Sequence, residues 1–400
     1  MYFRDHILFI NIKHLQKMLH KREIGTAKSA SAYMDTKPHY ELLDGLRGVA
    51  ALIVIVYHIH ECFPVEYYPM GHGHLAVDFF FMLSGFVIGY AYDDRWKKMS
   101  IGGFFKRRII RLHPMVIMGT IIGAVTFYIQ GGTQWDGTQI TLSAVMIAML
   151  CGMLMIPAFP GASYEVRGNS EMFPLNGPQW SLFFEYMANI IYALLLRRLS
   201  TRALTAFTVA SGAALTAFVV TDPPAYGNMG VGWSVIDYNF IGGVLRMMFP
   251  FSVGLLMSRN FKPVNIKGAF WICTALIAAA LMVPNLSIDD NTLYNRLYEL
   301  AVVACVYPIV VYLAASGRAT DKGTSSVCRF LGDISFPLYI VHYPTMYLFY
   351  HYIGFPETFR TPSETWPIML LLFFGNIALA YICLKLYDEP VRKWLTDKFK

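Results

Sequence analysis

Charge is scarce in this 400-residue chain: Asp, Glu, Lys and Arg make up 15% of it, against roughly a quarter in a soluble domain. Hydrophobic residues reach 56%, and mean hydropathy is +0.44. That balance excludes an ordinary water-soluble body. Short segments of alternating apolar and polar residues are missing, which argues against a transmembrane β-barrel. Cysteine occurs six times, never as CxxC, and most copies fall within or beside apolar runs. Cys62, Cys151, Cys273, Cys305, Cys328 and Cys383 therefore read as small packing residues, neither a disulfide framework nor a metal site. There is no G-x-S-x-G elbow, no P-loop and no HExxH. His58 and His60, two apart, face different sides of a helix and make a poor metal pair. No metal is expected.

What is present is a series of eleven apolar segments, near 45–63, 74–92, 114–130, 140–157, 180–196, 203–220, 239–258, 268–284, 297–316, 334–353 and 366–387. Each is about the length that a hydrocarbon core demands. The expected fold class is all-α: a polytopic membrane protein with about ten transmembrane helices and one re-entrant or interfacial segment. The expected domains are a polar and basic tail over 1–40, a transmembrane domain over 41–392 and a short basic tail over 393–400. The first 40 residues hold no run long enough to cross a bilayer and no evident cleavable signal. That tail reads either as a peripheral amphipathic helix or as an upstream extension of the reading frame, with Met34 as the start.

The net charge is +7, but the basic residues cluster at the ends of apolar runs, where they anchor loops to the cytoplasmic side. Nucleic acid is not an expected partner; the lipid bilayer is. Lys97, Lys98, Lys106, Arg107, Arg108 and Arg111 place the stretch after the second segment inside, and the N-terminus with it. Arg197, Arg198, Arg202, Arg259, Lys262 and Lys267 are also inside, as are the C-terminal Arg392, Lys393, Lys398 and Lys400. The stretch from Thr221 to Tyr238 carries no Lys or Arg and is outside. One conflict follows. Both Arg111 and Arg197 require the cytoplasm, yet three apolar segments separate them. One of 114–130, 140–157 and 180–196 is expected not to span, and such a break survives only where protein or a water-filled cavity covers it. The expected location is the inner (plasma) membrane, multi-pass, with both termini cytoplasmic.

Ionisable residues inside these segments are candidate site residues, because burying them in lipid is costly. Arg47 and His58 stand eleven positions apart in the first segment, so they share one helix face about 16 Å apart along the axis. Arginine grips phosphate through a fixed fork of donors, and a desolvated histidine stays neutral and ready as a base. The blander account has Arg47 snorkelling to the interface and His58 making a core contact. Asp78, among aromatics near the outer side of the second segment, either orients a histidine or caps the helix start. Ser84-Gly85 beside it allows close helix approach. Arg108 and Arg111, three apart, share a face as a phosphate clamp or as a simple anchor. Asn176-Gly177-Pro178 breaks the chain before the fifth segment, where Ser181 suits a helix cap and Glu185 needs a partner, an arginine being a fair one. A hydrolase built on Ser181 would lack an evident neighbouring base. His342, midway through the tenth segment, reads as structural.

These blocks together resemble the acyltransferase-3 family of integral membrane O-acyltransferases, over about residues 40 to 392. The matching landmarks occur in family order: LDGLRG through Tyr57-His58, the block from Gly73 to Phe86, Arg108 and Arg111, NGPQWSLFFE from Asn176 to Glu185, and LGDISFPLYIVH, with Asp388-Glu389-Pro390 as a closing element. Phe336 stands where the family often has Tyr. The resemblance implies transfer of an acyl group, usually acetyl from acetyl-CoA as the donor substrate, onto a hydroxyl of a glycan, a lipid-linked sugar or another exported acceptor. It implies His58 as the base, with Arg47, Arg108 and Arg111 facing the donor's phosphates; Asp78 and Glu185 join His58 as candidate catalytic residues. Many relatives carry an extra hydrolase-like domain after the last span, and the sequence ending at Lys400 is expected to lack it. Direct attack on the thioester and an acyl-histidine route both stay open. The rival reading is a secondary transporter of an anionic solute using the same Arg and His residues, which should show an inverted repeat; none is visible. A binding or sensor protein is a third.

Overall fold

The computed structural model describes residues 39–64, 67, 70–286, 292–319, 321–354 and 360–399. The readings made of the tail over residues 1–38 lie outside the described residues. Glu41–Lys400 forms one compact unit. Eleven main helices carry it among the described residues: α1 (Glu41–Glu61), α2 (Ala76–Tyr92), α3 (Ile101–Ile129), α4 (Leu142–Met153), α5 (Gln179–Leu194) and α6 (Thr201–Thr221). These are followed by α7 (Asp237–Asn260), α8 (Ala269–Leu281), α9 (Leu293–Ser316), α10 (Lys322–Gly354) and α11 (Pro362–Lys398), where α9 and α11 each contain a π turn, at Val302–Val306 and Leu384–Asp388. No strand forms among the described residues, only two isolated bridges. Each helix covers one expected apolar segment.

Local sequence sets several starts. Ser100 accepts a hydrogen bond from the Gly103 N–H at the head of α3, Thr141 caps α4 and Ser200 caps α6. Thr361 and Glu364 form a capping box on α11. Three helices run well past the apolar segments that announced them. The Ser100 cap starts α3 at Ile101 and the helix continues through Pro114 to Ile129, so the basic stretch from Lys106 to Arg111 is helical and continuous with its apolar part. Likewise α11 continues to Lys398, which makes residues 393–398 helix and not a loose tail. Lys322–Gly354 is a single helix despite Pro337 and Pro344, as membrane helices tolerate when neighbours satisfy the freed carbonyls.

Among the described residues, seven helices are long and apolar enough to cross a bilayer: α1, α2 with its leading turn, α3, α6, α7, α9 and α11. The protein is a polytopic, all-α membrane protein. The other four segments differ for definable reasons. At 12, 13 and 16 residues, α4, α8 and α5 rise roughly 18, 20 and 24 Å, against a core about 30 Å thick. α10 is long, but tyrosines and histidines dilute its apolarity. Of the three segments in the charge conflict, α4 is the shortest. The irregular stretch 154–178 that follows it leads to α5.

Glycines set how closely the helices meet. A Cβ on Gly48 of α1 would sit 2.3 Å from the Leu331 carbonyl oxygen, and one on Gly332 would sit 2.9 Å from the Asp44 Cβ, so α1 and α10 touch backbone to backbone. A Cβ on Gly85 of α2 would fall 2.0 Å from the Phe251 oxygen, and one on Gly254 of α7 would fall 2.0 Å from the Met82 oxygen. Small residues at such crossings replace the hydrophobic drive that lipid removes. Gly85→Ala should therefore lower stability by about 1–3 kcal/mol or more, read as a lower unfolding midpoint in detergent. Gly102→Ala meets nothing within 4 Å, and its midpoint should be unchanged or slightly raised.

Candidate active site

One face of α1 carries the site. Arg47, four residues before Ala51, lies toward the end of the bundle where the basic residues gather; His58 lies near the other end of the same helix. The Arg47 guanidinium donates to Asp44 one turn earlier, at 2.7 Å. His58 Nδ1 stands 2.6 Å from Glu61 Oε2, one turn later. A carboxylate only accepts, so the proton of that bond sits on Nδ1; the lone pair of a neutral ring is then on Nε2. The imidazole is walled by rings: Tyr57 at 4.9 Å, Tyr343 at 4.7 Å edge-on, and His342 stacked at 5.5 Å. Glu61 also accepts from Tyr57 at 3.4 Å. His342 is fully buried and is held through Nδ1 by the carbonyls of Leu338 and Tyr339. It serves as a wall, as a structural residue should.

Two cavities open along this face. The one at the basic end holds about 80 Å³ and is lined by Arg47, Arg108 and Arg111 together with Ser84, Glu185 and apolar residues of α2 and α5. Arg108 is buried and donates to Glu185 at 2.5 Å, and Ser84 donates to the same carboxylate at 3.1 Å. Glu185 thus neutralises one guanidinium. Arg111 is exposed to the cavity and has no carboxylate within ion-pair distance among the described residues. The arginines are brought together from α1 and α3, as their spacing suggested. The set suits a multiply charged anion, because fixed guanidinium forks match phosphate oxygens. The space suits only a slim portion of such a ligand.

The second cavity, at the other end, holds about 360 Å³ and contains His58, Glu61 and His74. Its cover comes from the two loops 154–178 and 222–236, which contribute Asn169, Glu171, Gly230 and Trp233. Burial pushes the Glu171 carboxyl up to about 7, even though Tyr347 donates to it and Arg167 lies nearby. Val77 and Tyr339 line both cavities.

Asp78 does not orient a histidine. It is fully buried and faces Arg246 of α7, whose Nε and a terminal nitrogen donate to its two oxygens at 3.1 and 2.5 Å. It forms no cap bond at the helix start either. Arg246 goes on to donate to the carbonyls of Val231 and His74, pinning α2, α7 and the loops over the second cavity. A guanidinium in that environment demands a counter-charge. Glu185 likewise holds Arg108 and does not approach His58. Ser181 is not the cap of α5, which starts at Gln179 after Pro178. Its hydroxyl donates to the Pro178 carbonyl at 3.0 Å and meets the Tyr339 hydroxyl at 2.7 Å.

Three groups escaped the sequence reading. Glu61 carried a usable signal, since i and i+3 on a helix are neighbours. Tyr339 and the buried Glu299, which accepts from His72 at 2.9 Å and stands 3.2 Å from His74 Nε2, gave none, because their partners lie far away in the chain. Asp78→Ala should lower stability by about 3–5 kcal/mol by leaving Arg246 buried and unpaired. Asp78→Leu combined with Arg246→Met should recover part of that in thermal unfolding; a wild-type midpoint for Asp78→Ala would contradict the pairing.

The family model described as an acyltransferase domain, acyltransferase-3, matches residues 40–385. Acyltransferase MdmB of Streptomyces mycarofaciens is 24% identical over 326 residues, covering 75% of this chain and 77% of that protein. Protein 2 in picA locus of Rhizobium radiobacter is 36% identical over 160 residues, 38% of this chain and 80% of that one. O-acetyltransferase OatA of Staphylococcus aureus is 23% identical over 376 residues; the match covers 88% of this chain and 57% of OatA. No solved structure matches. With the family's match running through α1 to α11 and both cavities, the chain belongs to the acyltransferase-3 family and is a multi-pass membrane acyltransferase.

Proposed function

We propose that this O-acyltransferase takes an acyl group, most simply acetyl, from acyl-CoA at the basic end and transfers it to a hydroxyl of an acceptor bound in the second cavity. The observation that carries the proposal is the hydrogen bond of His58 to Glu61 in a chamber that adjoins the arginine-lined cavity at Val77 and Tyr339. The name of the relative OatA, an O-acetyltransferase, supports acetyl and oxygen as the transferred group and the acceptor atom.

The donor set fits coenzyme A, whose phosphates cannot shed water in lipid. Arg111, lacking a carboxylate, and Arg47 at the mouth would hold those phosphates, with Arg108 fixed behind them by Glu185. When bound, the donor supplies an activated thioester. The chain's own residues do the rest. Glu61 keeps the His58 proton on Nδ1, which leaves Nε2 to take the proton of an acceptor hydroxyl as that oxygen bonds to the acyl carbon. His58 then returns the proton to the departing sulfur. Glu61 stabilises the imidazolium between those two moments. The acceptor belongs to the chamber under the loops 154–178 and 222–236, whose Asn169, Glu171 and Trp233 suit a polar molecule such as a glycan or lipid-linked sugar.

Radiolabelled acetyl-CoA offered to inside-out vesicles tests the proposal. Wild type should place label covalently on a lipid or glycan; label accumulating as an intact soluble anion would instead make the chain a transporter. His58→Ala should reduce covalent transfer by about 10²–10⁴-fold with the protein still inserted, and undiminished transfer would remove His58 as the base. Arg111→Ala should raise KM for the donor about tenfold or more while kcat holds, as expected for a lost charge-assisted phosphate contact.

A further inference from the structure

Among the described residues, only Val77 and Tyr339 line both cavities, and Tyr339 alone of the pair carries a side-chain hydrogen-bond donor. The arginine cavity and the His58 cavity therefore adjoin at this side chain. The ring is buried, with 6% of its surface exposed. Phe80 packs on it edge-on at 5.4 Å, and the His342 imidazole lies at 5.9 Å. Its Oη is 2.7 Å from Ser181 Oγ.

The direction of that bond follows from proton counting. Ser181 has one hydroxyl proton, and it goes to the Pro178 carbonyl at 3.0 Å. Tyr339 is therefore the donor and Ser181 the acceptor. A donor already ordered, largely shielded from water and carried by a ring that lines both cavities is what an acyl-transfer site needs where negative charge develops on the carbonyl oxygen. Turning the phenol proton from Ser181 toward that oxygen needs rotation only about the C–O bond, so the ring stays in place. Arg246, which also lines the second cavity, is committed to Asp78 and to the Val231 and His74 carbonyls.

We infer that Tyr339 is a catalytic residue that donates a hydrogen bond to the thioester carbonyl oxygen during transfer, with Ser181 as the positioning residue that holds its hydroxyl in wait. The inference rests on the proposed function. Tyr339 keeps its proton throughout. His58 receives the acceptor's hydroxyl proton, the oxygen–carbon bond forms as the carbon–sulfur bond breaks, and the same proton leaves on the thiol. Charge gathered on the carbonyl oxygen in between is what Tyr339 stabilises.

The test uses full-length protein in vesicles with acetyl-CoA as the donor. Transfer by wild type and its loss in His58→Ala address the underlying reading. Against that background, Tyr339→Phe should lower kcat about 10²–10³-fold with KM for acetyl-CoA within twofold, since the lost contact exists mainly in the transition state. Ser181→Ala should have a smaller effect, on kcat alone. Fluorinated tyrosines introduced at position 339 keep the ring and its packing while making the phenol a stronger donor, and kcat should change systematically with phenol acidity. A wall residue would show no such trend. A kcat for Tyr339→Phe within threefold of wild type, or a flat response across the fluorinated series, would overturn the assignment.

Discussion

The backbone contact between α1 and α10 is the constraint on which the site depends. Gly48 meets the Leu331 carbonyl and Gly332 meets Asp44, so the two helices lie closer than any side chain at those positions would permit. That contact sets the axial register of both. In that register His58 stacks on His342 and meets Tyr343, while the Tyr350 hydroxyl donates to the His58 carbonyl at 2.8 Å. A larger residue at the crossing would separate the imidazole from the aromatic wall that shapes its chamber. The second glycine crossing, α2 on α7, does similar work for Tyr339, because Phe80 on α2 supplies the ring that packs against it.

Around this frame the ionisable groups divide by task. Some are balanced where they stand: Asp78 with Arg246, Glu185 with Arg108, and Asp93 with Arg259 at 2.7 Å. Such pairs tie helices distant in sequence and leave no net charge in the core. Others face open space. Arg111 lines the basic-end cavity, and Nε2 of His58 is free of the carboxylate that holds Nδ1. In the proposed function, the groups facing open space meet the ligands and the balanced ones hold them in position. The arrangement separates a guanidinium-lined end from the His58 imidazole along one helix.

Much of this was legible before any coordinates. Each of the eleven apolar segments corresponds to a helix, and the shared face of Arg47 and His58 follows from the helical repeat alone. Ser84-Gly85 announced the close approach of α2 to a neighbouring helix. The charge conflict between Arg111 and Arg197 pointed to an interval that contains α4, at 12 residues too short to cross. What sequence could not provide was partner choice. Asp78 finds an arginine 168 positions away, and Tyr339 finds a serine 158 positions away; no periodicity encodes such pairings. Ser181 looked like a cap because Ser after Gly-Pro commonly is one, yet α5 began two residues earlier. Glu61 was overlooked at the end of its apolar run, although its spacing from His58 was in plain view.

The central claim is that an acyl group moves from a guanidinium-lined mouth past Tyr339 to His58. A cryo-EM structure with a non-hydrolysable acetyl-CoA analogue tests it most directly. The account predicts the pyrophosphate within hydrogen-bond reach of Arg47 or Arg111, and the acyl carbonyl between the Tyr339 hydroxyl and His58 Nε2. A nucleotide bound away from these arginines, or an acyl group that stops short of the Val77–Tyr339 junction, would contradict it.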